Sequence, residues 1–115
     1  MTTARFPRTL RLIKPDDYRR TFRRGRRVGD SLFTIVAARS NRDHARLGLA
    51  IARKAARRAV DRNRLKRIVR ETFRHEQARL AGWDLVVLAR PAAVTAPNDV
   101  LHRSLVALWQ RLAGC

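Results

Sequence analysis

Residues 46–89 read RLGLAIARKAARRAVDRNRLKRIVRETFRHEQARLAGWDLVVLA, and the hydrophobic period changes twice along them. In residues 46–52, Leu47, Leu49 and Ile51 alternate with small Gly48, Ala50 and Ala52. That alternation predicts a strand with one thinly covered face. From about Ala59 to Arg79 the period lengthens to that of a helix. At 3.6 residues per turn, Leu65, Ile68, Val69 and Thr72 share one arc, which predicts a core-facing stripe. Gly82 is placed to close this helix, and Trp83–Ala89 (WDLVVLA) is an apolar run short enough for a buried strand. The stretch therefore predicts a parallel strand–helix–strand element.

Toward the N-terminus, Ser31–Arg39 (SLFTIVAAR) is rich in β-formers and predicts another strand, followed by the turn cluster Ser40–His44. Pro15 suits the first position of a helix, with Asp16 and Asp17 at the positive end of its dipole. Tyr18 and Phe22, four apart, share a side of that helix, and Gly25 is a natural stop. A short extra strand fits near Val28. Toward the C-terminus, Pro91 and Pro97 bracket a loop. Asn98 has the chemistry of an N-cap for a last helix carrying Leu101, Leu105, Leu108 and Leu112 on one face. Residues 1–14 are basic and irregular. The expected fold is α+β, a single α–β sandwich in the order α-β-β(-β)-α-β-α. One mostly antiparallel sheet contains the parallel βαβ element, with helices packed on it. All 115 residues fit one domain, read as an RNA-binding domain.

Charge narrows the function. Lys and Arg number 27 against 9 Asp and Glu, a formal net charge of +18. Such a chain repels itself, so an anionic partner accounts for the imbalance, and nucleic acid leads because phosphate neutralisation releases counterions. From Arg53 to Arg74 there are ten Lys or Arg and only two acids, Asp61 and Glu71. On the helical wheel Asn63, Lys66, Arg67, Arg70 and Arg74 lie opposite the core arc, flanked by Arg62 and Arg64. A helix that only needed solubility would mix signs at i,i+4, whereas positions 62, 66 and 70 here repel. A DNA-recognition helix calls for a more varied polar face, and a membrane-surface helix needs its apolar face free. The hydrophobic fraction of 45% argues for a folded chain. Cys115 is the only cysteine, which fits a reducing compartment, and no signal-peptide run precedes Pro15. His44, His75 and His102 lack metal-ligand spacing, and the acids form no recognisable acid–base pair, so neither a catalytic residue nor a protein-bound metal is expected. Trp83 and Trp109 are expected in the core.

The stretch GLAIARKAARRAVDRNRLKRIVRETFR, residues 48–74, resembles the signature of the bacterial ribonuclease P protein subunit. The matching pieces are Gly48-Leu49, Arg53-Lys54, Arg62-Asn63-Arg64, Lys66-Arg67 and Arg70-Glu71. Arg53 stands where Lys is common. Pro15–Gly25 resembles the family's first helix, and the likeness runs from about Arg11 to Leu112.

The resemblance implies an accessory subunit of an endoribonuclease that removes the 5′ leader of precursor tRNA in the cytoplasm. By the same resemblance, hydrolysis belongs to a catalytic RNA and its Mg2+. It implies that Arg53, Lys54, Arg57, Arg58, Arg62, Asn63, Arg64, Lys66, Arg67 and Arg70 lie against that RNA. The leader would be held by Arg11, Tyr18, Phe22, Phe33, Thr34 and Val36, where aromatic platforms beside cations suit a single strand. Thr34 and Val36 are smaller than the groups some members carry there. A ribosomal-type structural RNA-binding protein is the alternative that composition alone allows.

Overall fold

The computed structural model describes residues 14–114, so the N-terminal segment with Arg11 and the terminal Cys115 lie outside the described residues. The elements are α1 (Pro15–Arg24), β1 (Arg26–Gly29), β2 (Phe33–Arg39), β3 (Arg46–Ala50), α2 (Ala59–Glu76), β4 (Trp83–Ala89), α3 (Ala92–Thr95) and α4 (Asn98–Ala113). The four strands form one sheet in the order β1-β2-β4-β3. β1 and β4 flank β2 antiparallel, and β3 joins β4 in parallel across α2. This is the expected α+β sandwich, with the strand near Val28 present as β1 and a one-turn helix, α3, added before α4.

Alternation sorts the strands into two faces. Phe33, Ile35, Ala37, Leu47, Leu85 and Val87 point to one side, where they meet Leu65, Ile68, Val69 and Phe73 of α2 and Leu101, Leu105, Leu108, Trp109 and Leu112 of α4. The helical core arc read from the sequence is the buried face of α2, extended by Phe73. Thr72 belongs there because its hydroxyl accepts a hydrogen bond from Trp109 Nε1 at 2.9 Å while donating to the Val69 carbonyl at 3.0 Å. The Phe73 and Trp109 rings meet edge to face with centroids 5.7 Å apart.

Among the described residues the other face of the sheet is covered by α1, and unusually the residues α1 buries are Asp17 and Thr21. Beneath them Arg46 is buried too. It donates to both carboxylate oxygens of Asp84 at 3.0 and 2.9 Å and to Asp17 at 3.3 Å, while Arg20 reaches Asp17 at 2.7 Å. Arg46 and Asp84 are register partners on β3 and β4, so the sheet itself presents this pair. Burial opposes ionisation of Asp17. The hydrogen bond from Arg46 and the charges of Arg46, Arg20 and Arg42 outweigh it, and the carboxyl sits below its ordinary range.

Two local expectations change. α2 ends at Glu76, and residues 77–80 continue as a 3-10 turn. Asn98 is the first residue of α4 and caps nothing; Pro97 holds the N-cap position, and the Asn98 side chain instead accepts from Arg64 at 2.6 Å.

Candidate nucleic-acid interface

β3 ends at Ala50, and the connection 51–58 leaves the sheet there before α2 begins. Ala56 anchors the connection by full burial, while Arg53, Lys54, Arg57 and Arg58 stay exposed. Arg62, one turn into α2, reaches back and donates to the carbonyls of Ala56 and Arg57 at 3.0 and 2.8 Å. It thereby fixes the shape of the loop that presents the four cations. Arg64 faces the other way. Its guanidinium donates to the Val94 carbonyl at 2.8 Å and to Asn98 Oδ1 at 2.6 Å, with longer bonds to the carbonyls of Ala93 and Ala96, both at 3.4 Å. It thus ties the end of α3 and the start of α4 to α2.

Asn63, Arg67 and Arg70 are exposed and Lys66 half-buried, and none of the four side chains has a hydrogen bond or ion pair among the described residues. The cationic face therefore divides. Arg62 and Arg64 shape the scaffold, whereas Lys66, Arg67 and Arg70, like Arg53, Lys54 and Arg57 of the connection, have no side-chain partner among the described residues and leave their donors for phosphate. Replacing Arg64 by alanine is expected to lower unfolding stability by about 1.5–3 kcal/mol, the range for hydrogen bonds to a charged group. Urea unfolding followed by circular dichroism measures this, and an unchanged midpoint would remove the scaffold role.

On the α1 face of the sheet one strip beside the helix stays partly accessible, and we refer to it as the groove. Thr34 pairs with Leu88, and Leu88 with Ala50, so these three half-buried residues form a row across β2, β4 and β3 at the end where the basic connection departs. Tyr18 and Phe22 of α1 are both half-buried beside it. The Tyr18 ring lies on Gly48, where a Cβ would come within 2.8 Å of ring carbons, so Gly48 is small because the aromatic rests on it. The Arg27 guanidinium stands 5.9 Å from the Phe22 ring centroid, placing a cation beside an aromatic face.

Two expected groove residues are corrected. Phe33 is fully buried and points into the α2–α4 core on the opposite face, because the alternation of β2 gives it the parity of Ile35. Val36 has the groove-side parity but is also fully buried, beneath the end of α1, where its Cγ1 would be 2.6 Å from a Cβ on Gly25. On the α1 side of β2, Thr34 is the residue left accessible. Leu88 was hidden from the sequence reading because WDLVVLA is apolar on both faces. Among the described residues, no three His, Cys, Asp or Glu gather where they could hold a metal ion, and no helix is long and apolar enough to cross a membrane.

The family model for ribonuclease P matches residues 6–113. The ribonuclease P protein component of Thioalkalivibrio sulfidiphilus is 47% identical over 108 residues, covering 94% of this chain and 90% of that protein. That of Vibrio cholerae is 44% identical over 113 residues, covering 98% and 96%. Among solved structures, the ribonuclease P protein of Staphylococcus aureus aligns with a TM-score of 0.82 at 28% identity, covering 89% of this chain and 94% of that one. The Thermotoga maritima protein gives 0.78 at 29% identity, covering 88% and 96%.

Proposed function

The chain belongs to the ribonuclease P protein family, and from that membership we propose that it holds precursor tRNA by its leader while the partner RNA and its Mg2+ carry out the cleavage. As a ribonuclease P protein component it is a tRNA-processing subunit partnered with ribonuclease P RNA, and the ribosomal-type alternative is not favoured. The observation that supports the finer reading is the adjacency of two surfaces. The 51–58 connection, whose Arg53, Lys54 and Arg57 have no side-chain partner among the described residues, leaves the sheet directly after Ala50 at the end of the Thr34–Leu88–Ala50 row and leads into the cationic face of α2.

The division of labour follows from what each surface offers. Free guanidinium and ammonium groups bind phosphate regardless of sequence, so the α2 face suits a structured RNA. The groove is apolar at its floor, aromatic at one wall and narrow in its supply of charge. That suits unstacked bases, each contributing about 1–3 kcal/mol when it stacks on an aromatic ring. Among the described residues no set of carboxylates gathers at either surface, and in this reading the magnesium ions reside on the RNA. The cytoplasm, where precursor tRNA is made in bacteria, is the compartment the reading implies.

Replacing Tyr18 by alanine separates these roles. The holoenzyme is expected to bind leader-bearing precursor about tenfold more weakly, the equivalent of one lost stacking contact, while its affinity for mature tRNA stays the same. Equal losses for both RNAs would remove the leader from the groove.

A further inference from the structure

A second basic site lies on the far side of α1 from the groove. Arg20, Arg24, Arg39, Ser40, Asn41 and Arg42 line an open cavity of about 250 Å³. That is below the roughly 300–1,000 Å³ of ordinary small-molecule sites, and four guanidinium groups dominate its lining. Arg20 and Arg24 come from the stripe of α1 that turns away from Tyr18 and Phe22. Arg39 ends β2, and Ser40–Arg42 begin the turn to β3.

The cavity is held in shape from behind. Arg20 is fixed by Asp17 at 2.7 Å, and Arg39 lies over the Trp83 ring, its Cζ 4.1 Å from the centroid. The buried carboxylates of Asp17 and Asp84 are already engaged by Arg46 and Arg20. Arg24, Arg39 and Arg42 form no ion pair among the described residues, although the charge of Arg42 is felt at the Asp17 carboxyl. Asp43 is the nearest acid in sequence, and it is engaged with His44 at 3.2 Å. A surface kept basic only for solubility does not gather convergent arginines around a hollow and fix two of them by buried partners.

We infer that this cavity binds backbone phosphates of an RNA strand, as a second contact distinct from the α2 face and the groove. The inference rests on the reading of the chain as a ribonuclease P subunit. Thr34 and Arg39 stand at opposite ends of the groove-side and cavity-side regions of β2, five residue steps and roughly 17 Å apart, so one phosphate cannot serve both. The same chemistry is available from the catalytic RNA and from the body of precursor tRNA.

The test uses the full chain carrying Arg24→Gln and Arg42→Gln. Both residues are exposed, so the substitutions spare the fold. Binding to ribonuclease P RNA is measured across a salt series, followed by binding of precursor tRNA to the assembled holoenzyme. Losing two phosphate contacts makes the log–log salt slope shallower by about 1.5. A shallower slope for the catalytic RNA assigns the cavity to that RNA; one confined to precursor tRNA assigns it to the substrate. No change in either, while Arg67→Ala with Arg70→Ala still weakens assembly, overturns the cavity and leaves the main reading standing. No change with either pair overturns both. An equal effect from Arg79→Gln with Arg103→Gln, two arginines elsewhere on the surface, also overturns it, because bulk charge would then be the cause.

Discussion

Replacing Asp84 by alanine is expected to destabilise the protein by about 3–5 kcal/mol, the cost of stranding one member of a buried ion pair. Arg46 would keep only the 3.3 Å contact to Asp17, with two of its donors facing a protein interior. For a domain whose total stability lies between about 5 and 15 kcal/mol, that loss removes a large share of the folded population. The comparison that identifies the cause is the double variant Arg46→Met with Asp84→Leu. Removing both charges is expected to recover most of the loss, giving strong coupling between the two positions in urea unfolding. Losses that simply add would show that packing, not charge, holds this face together. The same network sets an acid limit. The Asp17 carboxyl sits below its unfolded value of about 3.9, so its contribution is complete above that pH and is lost as pH falls toward the folded value. Stability is therefore expected to drop as the pH is lowered through about 4, and less steeply in an Asp17→Asn variant.

Replacing Arg67 and Arg70 together by alanine is expected to weaken assembly with ribonuclease P RNA by about a hundredfold. Each contributes about 1.5 kcal/mol if it binds phosphate through charge-assisted hydrogen bonds, and the pair together gives about two powers of ten. The salt slope should become shallower by about 1.5, because two phosphate contacts are lost. Folding stability should be unchanged, since neither side chain is engaged within the described chain. Arg64→Ala provides the contrast, costing stability through the carbonyls it holds. A uniform effect of all the α2 arginines on assembly, with stability constant throughout, would refute the division between scaffold and RNA-facing cations.

The sandwich was legible because its elements obey their periods. The α2 stripe at Leu65, Ile68, Val69 and Thr72, the strand 83–89 and the leucines of α4 all sit where spacing places them. The cationic face was legible for the same reason. What the sequence concealed is the tertiary use of individual charges. Nothing local distinguishes Arg62 and Arg64, which hold carbonyls, from Arg67 and Arg70, whose side chains hold nothing among the described residues. Their partners at Ala56, Arg57, Val94 and Asn98 become neighbours only in the fold. Asp17 read as a helix-dipole residue, and Asp84 was absorbed into an apolar run. An aspartate inside such a run was the available signal, since a strand buried on both faces carries a carboxylate only where a cation meets it. Phe33 and Val36 were misplaced for two different reasons: Phe33 by strand parity, Val36 by the reach of α1 over the sheet.

The central claim is that this chain assists an RNA that performs the cleavage. The direct test adds the purified protein to ribonuclease P RNA and precursor tRNA at low magnesium. Stimulated cleavage at the mature 5′ end is expected, with no cleavage when the RNA is omitted. Cleavage at that position by the protein without the RNA would contradict it.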